Sequence, residues 1–531
     1  MSRINTNVAS LIASRVLGQN NGSLGISLER LSTGLRINRG KDDPAGLIAS
    51  QNLRAEKSAL GAAISNAERA DQVVNIAEGG LEEITGLLNE LRALVTETAN
   101  TAGLSKEERE ANQLQIDSIL QTIDRVAGAT SFQGLRLLNG NLNYSTQNVS
   151  GAVQNFRVNG AKLGFNETRN VDVLVTTSAQ VGGFYLSFGG ARLDLNGALN
   201  GNTQSFVVEV AGAKGSRELS FSSGTSLTEI ASAINSFKAV TGVQASVSGT
   251  TGIRLESTAY GTDEFVSVKV VDDGAIGTGS GIGIYNLQAQ NALAADPNSN
   301  GSTPGDGPLS TFTGASNRLT DRGQDVEATI NGIRATTRGT VARIATDFLD
   351  VEIDLTYDPS SGQTNAARLG ALSAFSITGG GADFQLASRV DIGGKVSLGI
   401  QNVAVREIGR AVLNLSGTET SQYLKDIGTG RGLNVVTGSL EGAQQVIDQA
   451  IKDISSLRGR LGAFQKNTIG ATIRSLGISM ENTTAAESVI RDTDFAEETA
   501  SLTRAQILVT SSTQVLGISN SQPQSALQLL G

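Results

Sequence analysis

The sequence predicts an α+β multi-domain protein in which long antiparallel, coiled-coil-like helices from both chain ends form a rod and the middle is β-rich. Three observations predict it. Apolar residues recur every seven positions near both ends. The 15 Phe and 6 Tyr are absent before Phe132, and after Tyr423 only Phe464 and Phe495 remain. Roughly 141–400 is dominated by Gly, Ser, Thr and short alternating runs, the pattern of strands and turns. A chain of 531 residues has room for about three or four compact units.

The elements follow in order. Leu17, Leu24, Leu28, Leu31 and Leu35 form a stripe, but Gly18, Gly22, Gly25 and Gly34 lie among them with many Asn and Ser. Such a composition weakens an isolated helix. This segment is expected to be marginal alone and to order by packing between subunits. Asp43 before Pro44 is an N-cap followed by proline at the first helical position. Leu53, Leu60, Ala67, Val74, Leu81, Leu88 and Val95 then step by seven, with Ala63, Ala70, Ala77, Ile84 and Leu91 between them. That a/d pattern predicts a helix over 44–98, about 80 Å long at ~1.5 Å per residue. Ser105 and Glu108 form a capping box for a second helix reaching about Val126.

In the middle, strands are expected at Ser205–Val210, Glu218–Ser222, Gly242–Val247, Ile253–Glu256 and Phe265–Val271. A helix opens at the Ser226/Glu229 capping box. Residues 325–357 repeat part of this more loosely, and 296–318 reads as a turn-rich linker. The middle is therefore expected to hold two small α+β units.

The far end mirrors the first. Leu440, Ile447, Ile454 and Leu461 keep the seven-residue step, with Val436, Ala443, Ala450, Leu457 and Phe464 between. After Phe464 the stripe moves to Ile469, Ile473, Leu476 and Met480, a stutter that changes the local supercoil. Thr484 and Glu487 are expected to cap a last helix carrying Phe495, Leu502, Val509 and Leu516. Apolar stripes must leave water, so the inner helices, 44–126 and 433–480, pack either within one bundle or on neighbours. The expected domain boundaries are 1–43, 44–175, 176–300, 301–395, 396–485 and 486–531.

Chemistry is scarce. With no His and no Cys, the commonest general base, the thiolate nucleophile, disulfides and the usual zinc sites are excluded. Neither Gly40-Lys41 nor Gly394-Lys395 completes a P-loop, and the glycines of 274–283 do not fit a dinucleotide fingerprint. Asp350, Glu352 and Asp354 share one face of a strand, where a solvated face is favoured over a calcium site. Asn143, Asn148, Asn166 and Asn300 open sequons, a weak pattern at this length. No catalytic, cofactor-binding or metal residues are assigned. The net charge of −9 argues against nucleic acid, and no apolar run reaches the ~20 residues needed to cross a bilayer, so membrane insertion is not expected. With no secretory signal at the N-terminus, these features alone would read as cytosolic.

Both ends carry sequence blocks in a telling order. Ile4-Asn5-Thr6-Asn7, SLERLSTGLRIN at 27–38, KDDPAGL at 41–47 and TSFQGLRLLNG at 130–140 stand at the start. SSLRGRLGAFQKNTI at 455–469, MENTTAAESVIRDTDFAEETASLTRAQIL at 480–508, and Gln522-Pro523-Gln524 with Leu527, Leu529 and Leu530 stand at the end. In these blocks the chain resembles bacterial flagellin over roughly 1–140 and 396–531. Residues 205–257 look like the IN motif of flagellins and hook-associated proteins. Val489 departs from the family's usual Arg. Glu90 and Gln115 replace Arg and Glu typical of flagellins seen by the vertebrate innate receptor, whereas Arg92 and Leu94 match.

The resemblance implies a structural, non-enzymatic subunit that polymerises into the flagellar filament for swimming. The extreme ends line an inner tube, the inner rods form the next layer, and a variable middle faces water. It also implies secretion to the extracellular filament without a cleaved signal peptide. The implied partners are copies of the chain, the flagellar export apparatus and an export chaperone, and the filament cap and hook–filament junction proteins. Two alternatives stand beside it: a hook–filament junction protein, and a filament subunit whose middle serves as a surface adhesin. An enzyme carried in the middle is disfavoured by the missing His and Cys.

Overall fold

A computed structural model describes residues 6–100, 102–164, 166–195, 204–276, 281–287, 308–357, 366–415 and 418–528. Part of the expected linker (296–307, with Asn300) and the block residues Ile4, Asn5, Leu529 and Leu530 lie outside them. The helices are α1 (Val8–Thr33), α2 (Pro44–Thr98), α3 (Lys106–Ala129), α4 (Leu227–Ser236), the single turn α5 (Lys238–Thr241), α6 (Leu440–Ala463), α7 (Gly470–Arg491) and α8 (Phe495–Gln528). The chain divides into two compact units: 1–79, 384–396 and 458–531, and 80–383 with 397–457.

In the first unit the start of α2 runs against the helix that continues from 458. Leu60, Ala63, Ala67, Ala70, Val74, Ala77, Leu461 and Ile469 are buried. The helix start is made as its residues dictate: the Asp43 carboxylate accepts the Gly46 amide at 2.9 Å. Between α6 and α7, Phe464–Ile469 forms a π turn. A π turn adds a residue to one helical turn, so the shift of the apolar stripe after Phe464 has this backbone form. The expected helix start at Thr484 is overturned. α7 runs through it to Arg491, and α8 begins at Phe495, where Asp494 Oδ1 accepts the amides of Ala496 (2.8 Å) and Glu497 (3.2 Å). The reason is local. Thr484 lies inside hydrogen-bonded helix, while extended backbone at Asp492 frees the next carboxylate to cap.

The second unit has a helical part and two β cores. Leu81, Ile84, Leu88, Leu91 and Val95 of α2 are buried together with Ile116 and Ile123 of α3 and Val446, Ile447, Ala450 and Ile454 of α6. Both capping boxes are formed, at Ser105/Glu108 and at Ser226/Glu229. Gln113 of α3 is buried against the loop that follows residue 427. Its Nε2 donates to the Ile427 carbonyl at 3.1 Å and its Oε1 accepts the Val435 amide at 2.9 Å.

One β core lies between two sheets. The first sheet takes Tyr144–Gln147, Arg169–Thr177, Glu327–Ile330, Ile333–Arg334 and Gly370–Gly380. The second takes Val153–Ala161, Thr336–Arg338, Val341–Ala345 and Leu349–Leu355. The other core is formed by two four-stranded sheets drawn from Gly183–Ser187 through Leu319–Arg322, with α4 against them. The chain therefore starts the first core, builds the second, and returns: Thr329 pairs with Leu174, and Gly370 with Val175. Residues 325–357 were expected as a second α+β repeat, but among the described residues they contain no helix. Only Gly339 and Thr340 separate the strands Thr336–Arg338 and Val341–Ala345, which leaves no room for one.

Candidate functional site

The feature that asks for a function is the helix pair at the chain ends. Asn7 opens α1, its Oδ1 accepting the Ser10 amide at 3.0 Å. Gly34 closes it at φ +72°, a backbone that glycine takes without strain, and donates to the Arg30 carbonyl at 2.8 Å. α8 lies antiparallel to α1. Asn7 Nδ2 donates to the Ser519 carbonyl (2.7 Å), Asn20 Nδ2 to Ser512 Oγ (2.7 Å), and Arg30 pairs with Glu498 at 3.4 Å.

This seam buries few residues fully. Among the described residues, those buried are Ala13 and Ser27 on α1, and Glu498, Ala505, Ser512 and Ser519 on α8. Leu17, Leu24, Leu31, Leu502, Val509 and Leu516 are half-buried between the two helices, and other large apolar side chains lie outside the seam. Leu11 is 64% exposed, Ile507 61% and Ile518 62%, and Val8, Ile12 and Val515 are each at least half exposed. Leaving such side chains half in water forgoes part of the ~1.5–3 kcal/mol that full burial gives each. Exposed apolar side chains gathered on a helix face mark a protein-interaction site.

The residues singled out from the sequence fall into three groups. Leu60, Val74, Leu81, Leu88, Val95, Ile447, Ile454 and Leu461 are buried. Leu17, Leu24, Leu31, Leu35, Leu53, Leu440, Phe464, Leu502, Val509 and Leu516 are half-buried. Leu28 and Phe495 are exposed, Phe495 by 58%. The heptad reading missed Leu11, Ile12, Ile507 and Ile518. The signal was available: Val8, Leu11, Ile12 and Val16 follow the i, i+3, i+4, i+8 spacing of a second helical face.

The other candidates are occupied by structure. Asp350 Oδ1 accepts from Asn159 Nδ2 (3.0 Å) and its Oδ2 from Arg343 (3.2 Å), while Asp354 accepts from the Thr340 hydroxyl (2.6 Å). Burial pushes the Asp354 carboxyl above its ordinary value. Among the described residues no group of three or more His, Cys, Asp or Glu could hold a metal ion, and no helix is long and apolar enough to cross a membrane.

Comparison with known proteins bears on the same ends. Residues 4–143 match the bacterial flagellin N-terminal helical region, residues 444–530 the bacterial flagellin C-terminal helical region, and residues 198–259 the flagellin hook IN motif. The chain is 29% identical to Flagellin B of Helicobacter pylori and 27% identical to a flagellin of Salmonella choleraesuis. Each match covers 99% of both chains.

Proposed function

We propose how this chain works from what it is: it belongs to the bacterial flagellins, and it is a structural subunit that polymerises into the extracellular flagellar filament. The observation that carries the mechanism is the exposed apolar surface of α1 and α8. Those helices fully bury only small and polar residues and the paired Glu498 between them, keep a leucine stripe half-buried, and turn Leu11, Ile12, Ile507 and Ile518 outward. In a dilute monomer these side chains face water, and in a filament copies of the chain cover them. A contact between two different surfaces that does not close a ring repeats without end, which gives a helical polymer. The stripe residues from Leu17 to Leu35 and from Phe495 to Leu516 join this assembly surface, and those of α2 and α6 form the stiff rod that carries torque.

The proposed layers are 1–43 and 486–531 innermost, the helices of 44–175 and 396–485 next, and the two β cores of the middle toward water. The chain performs no catalysis. It leaves the cell through the flagellar export apparatus, held by an export chaperone, and meets junction proteins at the filament base and the cap at its tip. The test is polymerisation of the full chain against one lacking residues 1–40 and 490–531, both seeded at high concentration. The full chain is expected to give filaments and the trimmed one to stay monomeric. Equal growth of the two would refute the mechanism.

A further inference from the structure

The second unit carries a joint between its helical part and its first β core. Residues 138–143 and 397–405 run side by side there. The Ile400 amide donates to the Leu142 carbonyl at 2.9 Å and the Val403 amide to the Leu138 carbonyl at 3.0 Å. Among the described residues, the buried cluster of the first core is drawn from 144–377 and takes none from a helix. The core thus closes its apolar interior by itself. Beside the joint it is tied to the helical part by polar groups. Arg157, on the strand Val153–Ala161, pairs with Asp453 of α6 at 3.2 Å. Arg410 Nη1 donates to the Gln154 carbonyl of the same strand at 2.7 Å. Arg410 belongs to the helical side, because the neighbouring Gly409 is pressed onto α6. The Gly409 amide donates to Asp453 Oδ2 at 3.2 Å, and a Cβ there would come 2.6 Å from the Val446 carbonyl. Gln449 Nε2 donates to Asp453 Oδ1 at 3.0 Å. One carboxylate therefore holds helix, loop and strand together.

These bonds border a cleft of about 530 Å³ that Glu352, Asp354, Glu407 and Lys452 also line. A polar cleft of that size takes up water, so opening it exposes little apolar surface. Glu352 stands directly opposite Arg157 on the neighbouring strand Leu349–Leu355. Residues opposite each other in a sheet bring their Cβ atoms ~4.5–5.5 Å apart, within reach of an ion pair. Arg157 therefore has two acceptors, Asp453 on α6 and Glu352 on its own sheet. Leaving the first does not strand its charge, which is what a buried cation without a partner would make costly. We infer that Asp453 is a latch. With Arg157 on Asp453 the first core is held at one tilt against the helices, and with Arg157 turned to Glu352 it swings about 138–143 and 397–405. Two discrete pairings of one cation make this hinge two-state. The device works in a single chain, so it stands apart from the assembly reading, and it gives the outer part of the molecule a change of angle that leaves α1 and α8 untouched.

The chain has no cysteine, so two introduced thiols carry spin labels without background. Gln444→Cys on α6 and Ser373→Cys on the first core both replace exposed side chains. The distance distribution between the labels is measured by pulsed dipolar spectroscopy on the full chain as a monomer. Adding Asp453→Ala and Arg410→Ala is expected to make that distribution about twofold wider, because an unlatched core samples several tilts. Amide exchange of Leu349–Leu355 is followed in the same variant, and its protection is expected to persist, since those strands close their own core. Equal widths with and without the two substitutions overturn the inference. A wider distribution with lost protection overturns it too, because the core would then need the latch in order to fold. Neither result bears on the assembly reading, which seeded polymerisation tests separately.

Discussion

The terminal helix pair and the aromatic core of the second unit solve the same problem in opposite ways. Phe188, Phe206 and Phe312 meet with ring centroids 5.1–5.6 Å apart, one pair stacked and two edge-on, and all three are buried. That core finishes its burial inside one chain. α1 and α8 bury alanine, serine and one paired glutamate and leave Leu11, Ile507 and Ile518 outside. The difference shows that an apolar residue is not evidence of a core. What matters is whether its partner belongs to the same molecule.

The largest expected effect separates the two regions. Leu11→Asp with Ile507→Asp should abolish filament growth in a seeded turbidity assay and leave the monomer's thermal unfolding unchanged. Loss of monomer stability instead would mean that these side chains already have partners in the monomer. Phe206→Ala should do the reverse. It should cost ~3–5 kcal/mol in urea unfolding of the second unit, with filaments still forming in the cold.

A smaller test uses adjacent glycines of α2. A Cβ on Gly79 meets nothing within 4 Å, so Gly79→Ala should stabilise by about 0.5–1 kcal/mol through helix propensity. A Cβ on Gly80 would stand 2.6 Å from Thr130 Oγ1 and 2.9 Å from Leu138 Cδ1. Gly80→Ala should therefore destabilise, by ~1–3 kcal/mol, the cost of overpacking. Equal shifts in melting temperature would mean that α2 is not held against its neighbours there.

The smallest effects concern acid. Amides of Arg39 (2.8 Å) and Asn38 (3.2 Å) donate to Asp42, which holds its carboxyl below the ordinary value, the Arg39 bond contributing most. Its contribution to stability is present above the unfolded carboxylate value and is lost as pH falls through the folded one. Asp354 is shifted the other way by burial. The folded chain keeps that proton longer, so its contribution is complete below the unfolded value and is lost as pH rises through the folded one. Asp42→Asn should flatten the acid side of the stability profile, and Asp354→Asn should remove the decline on its neutral side. Denaturant titrations between pH 3 and 6 check both.

Much of this was written locally. The seven-residue stripes of α2 and α6, the capping boxes at Ser105 and Ser226, the Asp43–Pro44 helix start and the strands of 205–271 all depend on residues within a turn or two of one another. Spacing and cap chemistry therefore determine them by themselves. The stutter after Phe464 was legible for the same reason, as a change of period. Tertiary structure alone decided the rest. It decided that strands before residue 178 and after 326 close one sheet, because strand pairing joins segments ~150 residues apart and no local spacing encodes a partner at that distance. It also decided that Phe312, in what reads as a linker, completes a core, that Asp494 and not Thr484 starts the last helix, and that Leu11 and Ile507 face outward. In each case the outcome depended on which other surface was within reach, a property of the folded chain that no single segment carries.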